Sequence, residues 1–250
     1  MRAVVTGGAK RLGKEIAIFL AERGFEVAIH YHSSEKSADE LAQYIKSKTG
    51  NNCVSIKADL TQEIEVQDLI GRANDKLGGS ISCLVNNASI FEYDNIWTAN
   101  RDSWDRHIES NLRAPFVLTQ SFANQVSPSI RDEHGEPLSQ GSIINLIDQR
   151  VKKLTPEFTS YTIAKMGLWA LTKTSAQALA PNIRVNAIAP GWISDKYDLR
   201  TVDHEQHPAG RVGRPHDISE AVNYLFNAGF ITGQTLTIDG GMTKKMIYAE

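Results

Sequence analysis

Cysteine is scarce: Cys53 and Cys83 are the only two in 250 residues. Both stand in apolar, strand-like runs, so they read as reduced core residues, and neither a disulfide framework nor a metal site is expected. An excess of charge of one sign is also missing. The 27 basic and 29 acidic residues leave a formal net charge of −2, which gives no sign of a nucleic-acid partner or an anionic membrane surface. No apolar run reaches membrane-spanning length. The N-terminus enters a strand within a few residues and lacks the apolar core of a signal peptide, so a cytoplasmic location is expected. Internal repeats, low-complexity tracts and linkers are lacking too. Residues 1–250 are therefore expected to form one domain with a substantial core.

What is present is alternation. Short β-branched runs at 2–6, 25–31, 52–57, 81–85, 143–147, 183–189 and 234–238 are interleaved with helical patterns. The helices are expected after Gly13, over 34–48, from an N-cap at Thr61 through Leu77, over 100–127, through Ala180 and over 217–227. Residues 127–140 read as a surface loop, and a polar stretch runs from Trp192 to Gly213. Such alternation predicts an α/β fold: one Rossmann-type, doubly wound parallel sheet with helices on both faces.

The chemistry gathers between Ile143 and Lys165. An apolar run ends in Asp148, a carboxylate at a strand tip, and Tyr161 and Lys165 stand four apart on a predicted helix. Residues four apart share a helical face, so the phenol and the ammonium lie side by side. A fixed cation favours phenolate, and lowering a phenol by about three units corresponds to about 4 kcal/mol. On its own, a Tyr and a Lys at this spacing is commonplace.

Upstream, strand, glycine-rich turn and helix follow one another at Gly7-Gly8-Ala9-Lys10-Arg11-Leu12-Gly13, the layout in which main-chain N–H groups cradle a pyrophosphate. The spacing is not G-x-G-x-x-G. The second predicted strand ends in His30-Tyr31-His32-Ser33-Ser34, with no acid to bind the 2′-hydroxyl of NAD. With Arg11 in the glycine loop, this favours NADP(H), a guanidinium on a 2′-phosphate contributing about 1.5–3 kcal/mol. A surface Arg11 and a solvated His32 are the bland alternative. Asp59-Leu60 follows the third strand, Asn86-Asn87-Ala88-Ser89-Ile90-Phe91 the fourth, and Asn111 lies among apolar helix positions.

Taken together, Thr6-Gly7…Gly13, Asp59-Leu60, Asn86-Asn87-Ala88, Asn111, Tyr161-x-x-x-Lys165, Pro190-Gly191 and Asp239-Gly240-Gly241 resemble the classical short-chain dehydrogenases/reductases over the whole chain. The resemblance implies hydride transfer from a nicotinamide cofactor. Tyr161 would be the proton donor, Lys165 would lower its pKa and hold the nicotinamide ribose, and Asn111 would support a relay water. Asp59 would edge the adenine, Asn86 would brace the sheet, and Gly7, Lys10, Arg11, Leu12, His32, Ser33, Ser34, Leu60, Asn87, Ala88, Ser89, Pro190 and Gly191 would complete the cofactor site. A homotetramer is also implied, with the helices over 100–127 and 159–180 as interface candidates.

The departures narrow the resemblance. Where classical members place a serine that donates to a carbonyl, this chain has Asp148, and an ionised carboxylate has no proton to give. Asp148, Arg11, Ser89 in place of glycine and His30-Tyr31-His32 resemble pteridine reductases. By that resemblance, Asp148 and Tyr161 deliver a proton to the nitrogen of a dihydropterin C=N bond. Phe91 stacks on the flat ring, Ser89 and Arg11 contact pterin or cofactor phosphate, and Phe158 lines the site, with plain packing as its alternative. Ser33 stands where such enzymes can carry an arginine, and the segment from Trp192 to Gly210 is short for a lid. The competing readings are an NADPH-dependent carbonyl reductase, for 3-oxoacyl or other ketone substrates, and a non-catalytic cofactor sensor.

Overall fold

The computed structural model describes residues 1–196 and 199–244. Residues 197–198 of the polar stretch and 245–250 of the single-domain expectation lie outside the described residues. In chain order the elements begin β1 Arg2–Val5, α1 Arg11–Ala21, β2 Glu26–Tyr31, α2 Glu35–Thr49, β3 Cys53–Lys57, α3 Glu63–Leu77, β4 Cys83–Asn86 and α4 Arg101–Ile108. They continue α5 Ala114–Gln125, β5 Ile130–Arg131, β6 Pro137–Leu138, β7 Gly141–Leu146, α6 Thr159–Leu179, β8 Ile183–Pro190, α7 Thr201–Glu205, α8 Pro215–Asn227 and β9 Thr235–Ile238.

Seven strands pair in the order β3-β2-β1-β4-β7-β8-β9, all parallel. Period two on each strand explains why both faces are covered. Val5, Val85 and Ile144 turn towards one apolar cluster with Ile16, Leu20 and Val222, while Val4, Leu84 and Ile143 turn towards the other with Leu69, Ile70 and Leu118. Chain order reverses between β1 and β4, and a crevice opens outside the carboxyl ends of strands at such a switch point.

Four details differ from the sequence reading. Thr61 does not cap α3, because its N–H and hydroxyl are both spent on Asp59 Oδ1, at 2.9 and 2.8 Å, and the cap position falls to Gln62. The long helix over 100–127 is broken by a π-helical turn, Glu109–Arg113. Within the 127–140 loop, β5 and β6 form a small antiparallel hairpin. The polar stretch after Trp192 holds the short helix α7. Asn86, as expected, braces the sheet: its amide donates to Asn145 Oδ1 at 2.8 Å, and Asn145 donates to Thr172 Oγ1 at 2.9 Å.

Cys53 and Cys83 are both buried, and burial pushes each thiol up to about 12, so neither is a ready nucleophile. Among the described residues no helix is long and apolar enough to cross a membrane. No cluster of three or more potential metal ligands occurs among them either.

Candidate active site

The glycine turn is fastened from two sides. Thr6 Oγ1 accepts from the main-chain N–H groups of Asn87 at 2.9 Å and Ala88 at 3.0 Å, and Asn87 Nδ2 donates to Thr6 O at 2.8 Å and Gly7 O at 3.3 Å. On the other side, Gly7 N donates to His30 Nδ1 at 3.0 Å, and His30 Nε2 lies 3.0 Å from Ala58 O. An acceptor at Nδ1 requires the proton on Nε2, so the tautomer follows from the two bonds. Sequence reading grouped His30 with its neighbours and missed this tether; its only signal was a polar residue in an otherwise buried strand.

Burial lowers His30 to about 4, with the Ala58 bond pulling the other way. Folded His30 therefore binds a proton less readily than unfolded His30. Its neutral form stabilises the fold above about pH 6.5, and that contribution drains as pH falls through 4, by up to about 3 kcal/mol. Ring-nitrogen NMR is expected to show His30 as the Nε2–H tautomer, unprotonated down to about pH 4. A midpoint near 6.5 would refute the tether.

Two adjoining clefts lie along the carboxyl ends of the strands. The first, about 840 Å³, is lined by Gly7, Lys10, Arg11, Leu12, His32, Asp59, Leu60, Asn87, Ala88 and Ser89. The second, about 780 Å³, shares Arg11, Leu12, Asn87 and Ser89 and continues to Asp148, Tyr161, Lys165, Pro190 and Gly191. The predicted cofactor residues thus fall on one continuous trough, except Ser33 and Ser34, which line a separate depression beside Lys10 and Lys36. Trp192, Ser194 and Lys196, from the segment read as short for a lid, also wall the second cleft. His32 Nε2 sits 3.7 Å from Asp59 Oδ2 on the rim.

Among the described residues, the only non-glycine residues with positive φ are Arg11 at 50° and Phe158 at 56°. Left-handed backbone at such residues costs about 1–3 kcal/mol and tends to gather where function demands it. Here Arg11 lines both clefts, and Phe158 occupies the N-cap position of the helix that carries Tyr161. The trough's floor needs bare backbone as well: a Cβ on Gly191 would meet Asp239 Cα at 2.7 Å. Asp239 is fixed in turn, accepting from Gly241 N at 2.9 Å and Thr243 N at 2.8 Å, which gives the Pro190-Gly191 and Asp239-Gly240-Gly241 pairings one packing cause.

At the far end, Tyr161 Oη donates to Asp148 Oδ2 at 2.8 Å. Asp148 Oδ1 accepts from Arg150 N at 2.8 Å, and the Arg150 guanidinium lies 3.6 Å from Oδ2. Lys165 Nζ donates to Leu146 O at 2.8 Å and stands 5.7 Å from the Tyr161 ring centre. Burial brings the ammonium down to about 8, with the Asp148 charge pulling it back up. The expected phenolate is not what the site holds. Burial first, then the charge and hydrogen bond of Asp148, keep Tyr161 well above the ordinary phenol value of 10, against smaller pulls from Arg150 and Ser89. Burial sets the direction, and the carboxylate, which touches the phenol as the ammonium does not, adds to it.

Phe91, Phe158 and Asn111, expected at the site, line neither cleft, and Phe91 is exposed. Phe91 stacks on Phe158 with ring centres 4.4 Å apart and planes 11° from parallel, and it meets the Tyr161 ring edge-on at 4.8 Å. Asn111, fully buried in the π turn, spends its amide on Ile90, accepting from its N–H at 2.9 Å and donating to its carbonyl at 2.8 Å. Its side chain thereby fixes the loop that carries Ser89 and Phe91.

A family model described as Enoyl-(Acyl carrier protein) reductase matches residues 7–243. An uncharacterised oxidoreductase of Thermotoga maritima is 36% identical over 262 residues, covering 99% of this chain and 98% of the relative. The 3-oxoacyl-[acyl-carrier-protein] reductase FabG of Staphylococcus epidermidis is 35% identical, covering 96% and 98%. Among solved structures, FolM alternative dihydrofolate reductase 1 of Brucella canis, complexed with NADP, superposes with a TM-score of 0.88 at 38% identity, covering 98% of this chain and 95% of that one.

Proposed function

Since the chain belongs to the short-chain dehydrogenase/reductase family, matched by its Enoyl-(Acyl carrier protein) reductase model, and is an oxidoreductase, we propose that it is an NADPH-dependent reductase of the C=N bond of a dihydropterin. The observation that carries this reading is the 2.8 Å hydrogen bond from Tyr161 to Asp148. The Brucella structure, named as an alternative dihydrofolate reductase with NADP, supports it from outside.

The trough fits NADP(H). Lys10, Arg11, Leu12 and Gly13, at the start of α1, line the first cleft, where a pyrophosphate would sit at the helix N-terminus. Asp59 and Leu60 would flank the adenine, and Arg11, Lys10 and the neighbouring Ser33, Ser34 and His32 would serve the 2′-phosphate. Asn87, Ala88, Ser89, Lys165, Pro190 and Gly191 would hold the nicotinamide half. Bound NADPH supplies the hydride.

The protein's own work is the proton. With Asp148 ionised, the phenol's hydrogen points at the carboxylate and away from substrate. A proton arriving on Asp148 reverses that bond: the carboxyl then donates to the phenol oxygen, and the phenol O–H is released. As Tyr161 passes its proton to the substrate nitrogen, Asp148 refills the phenol, so no free phenolate forms. That suits a phenol whose proton is held tightly, and it suits a basic imine nitrogen better than a ketone oxygen. Phe158 covers one face of the Phe91 ring, and this reading assigns the other to the flat heterocycle, worth about 0.5–1.5 kcal/mol beyond burial. Ser89 and Arg11, on both clefts, would reach substrate or phosphate, and Asn111 would support the relay by holding Ile90.

Steady-state assays with dihydrobiopterin, dihydromonapterin and dihydrofolate, beside a 3-oxoacyl thioester, test the proposal. Turnover of a dihydropterin is expected; brisk ketone reduction with every pterin inert would overturn it. The second reading, a 3-oxoacyl reductase, is favoured by the FabG relatives. The proposal includes a cytoplasmic homotetramer. Exposed Trp104, Phe116 and Ile163 on α4, α5 and α6 support an interface there, and light scattering should give four times the chain mass of 27.6 kDa.

A further inference from the structure

We infer that Arg150 is a positioning residue for proton delivery, a guanidinium brace that holds the Asp148 carboxylate against Tyr161 and makes the pair a stronger acid. The inference rests on the reading of Asp148 and Tyr161 given above. Asp148 follows the end of β7 and caps the 3-10 turn Gln149–Val151 through the Arg150 main-chain N–H. That turn folds the Arg150 side chain back beside the carboxylate it has just capped, with the guanidinium 3.6 Å from Oδ2. A shelf supports it: the guanidinium lies 4.8 Å from the Phe158 ring centre and 5.5 Å from that of Phe91. Cation–ring contacts of this kind fix an arginine without consuming its donors. Nε remains buried with no hydrogen-bond partner, so the fork keeps a donor in reserve for a closer grip on the carboxylate.

The other charged and titratable groups around the pair do not duplicate this role. Lys165, on the same helix as Tyr161, is bonded to Leu146 O. His107, from α4, sits 6.0 Å ring to ring from Tyr161, and burial lowers its pKa. Its Nε2 accepts from Glu92 N at 3.2 Å, so Nδ1 carries the proton that faces Ser160 Oγ at 2.7 Å. Arg11, Asp195 and Lys196 line the same cleft from the glycine turn and the segment after β8. Among these groups, Arg150 is the one that forms an ion pair with Asp148.

A cation beside the pair favours its deprotonated forms. Removing it should shift the pH window of kcat upwards and weaken the acid. For Arg150→Met, which keeps an aliphatic stem on the aromatic shelf, the window is expected to move up by about one pH unit. The kcat plateau should fall about tenfold, with KM little changed. Arg150→Lys should return the window to its parental position, and Arg150→Gln carries the same test if the methionine variant does not fold. In an Asp148→Asn background, Arg150→Met should change kcat by less than about twofold, because the group it acts through is gone.

An unmoved window in both neutral variants, or a full tenfold loss added on top of Asp148→Asn, would overturn the inference. The profile can be read with whichever substrate the enzyme reduces. Should Asp148→Asn alone leave turnover intact, the proposed function fails; should Asp148→Asn cripple turnover while Arg150→Met leaves the window in place, only this inference does.

Discussion

Replacing Asp148 with serine is expected to cut dihydropterin turnover by roughly a hundredfold to a thousandfold, while any side activity on ketones holds or rises. Serine can still accept from the Arg150 N–H, so the turn at Gln149–Val151 should survive and thermal stability should change little. What serine lacks is a proton acidic enough to refill the phenol. It does donate a hydrogen bond to an oxygen that is gaining negative charge, which a carboxylate cannot do. Tyr161→Phe removes the donor for both substrates and should abolish both activities. Steady-state kinetics on the three proteins separate the readings: undiminished dihydropterin turnover in the serine variant would sink the role given to Asp148.

The fold was legible because strand and helix periods alternate so regularly. Val4 and Val5, adjacent in sequence, feed opposite apolar clusters, and only a sheet covered on both faces uses such a run. The trough was legible for a related reason. Gly7, Asp59, Asn87 and Gly191 each stand just after a strand, and parallel strands bring their carboxyl ends to one edge. What escaped was whatever depends on side-chain reach. His30 reads as a strand residue until its ring is seen tied to Gly7, and Arg150 carries no motif until it folds back on Asp148. The sign on Tyr161 was misjudged because helical spacing reports which residues share a face, and neither the burial of the phenol nor its contact with Asp148. Phe158 shows the same limit: its left-handed backbone, held by a 2.7 Å bond from its N–H to Asp94 O, carries no sequence signal.

Gly13→Ala is expected to cost about 3 kcal/mol of stability and to weaken NADPH binding at least tenfold. In an ordinary helix the substitution would gain about 1 kcal/mol, since alanine is the better helix former. Here a Cβ would stand 2.2 Å from Gly7 O and 2.6 Å from Asn87 Nδ2. Gly7 O is main chain, and Asn87 is held by its bonds to Thr6 and Gly7, so neither neighbour can yield as a flexible side-chain tip would. The start of α1 must therefore move away from the turn, and the fastening that shapes the first cleft opens with it. Gly24→Ala is the matched control: φ is +86° but nothing lies within 4 Å of the new methyl, so backbone strain alone should cost about 1 kcal/mol and leave NADPH binding unchanged. Thermal unfolding of the cofactor-free proteins and fluorescence titration with NADPH measure the two effects separately. If Gly13→Ala matched the parent in both, the close approach of helix and turn could not be what shapes the cofactor cleft.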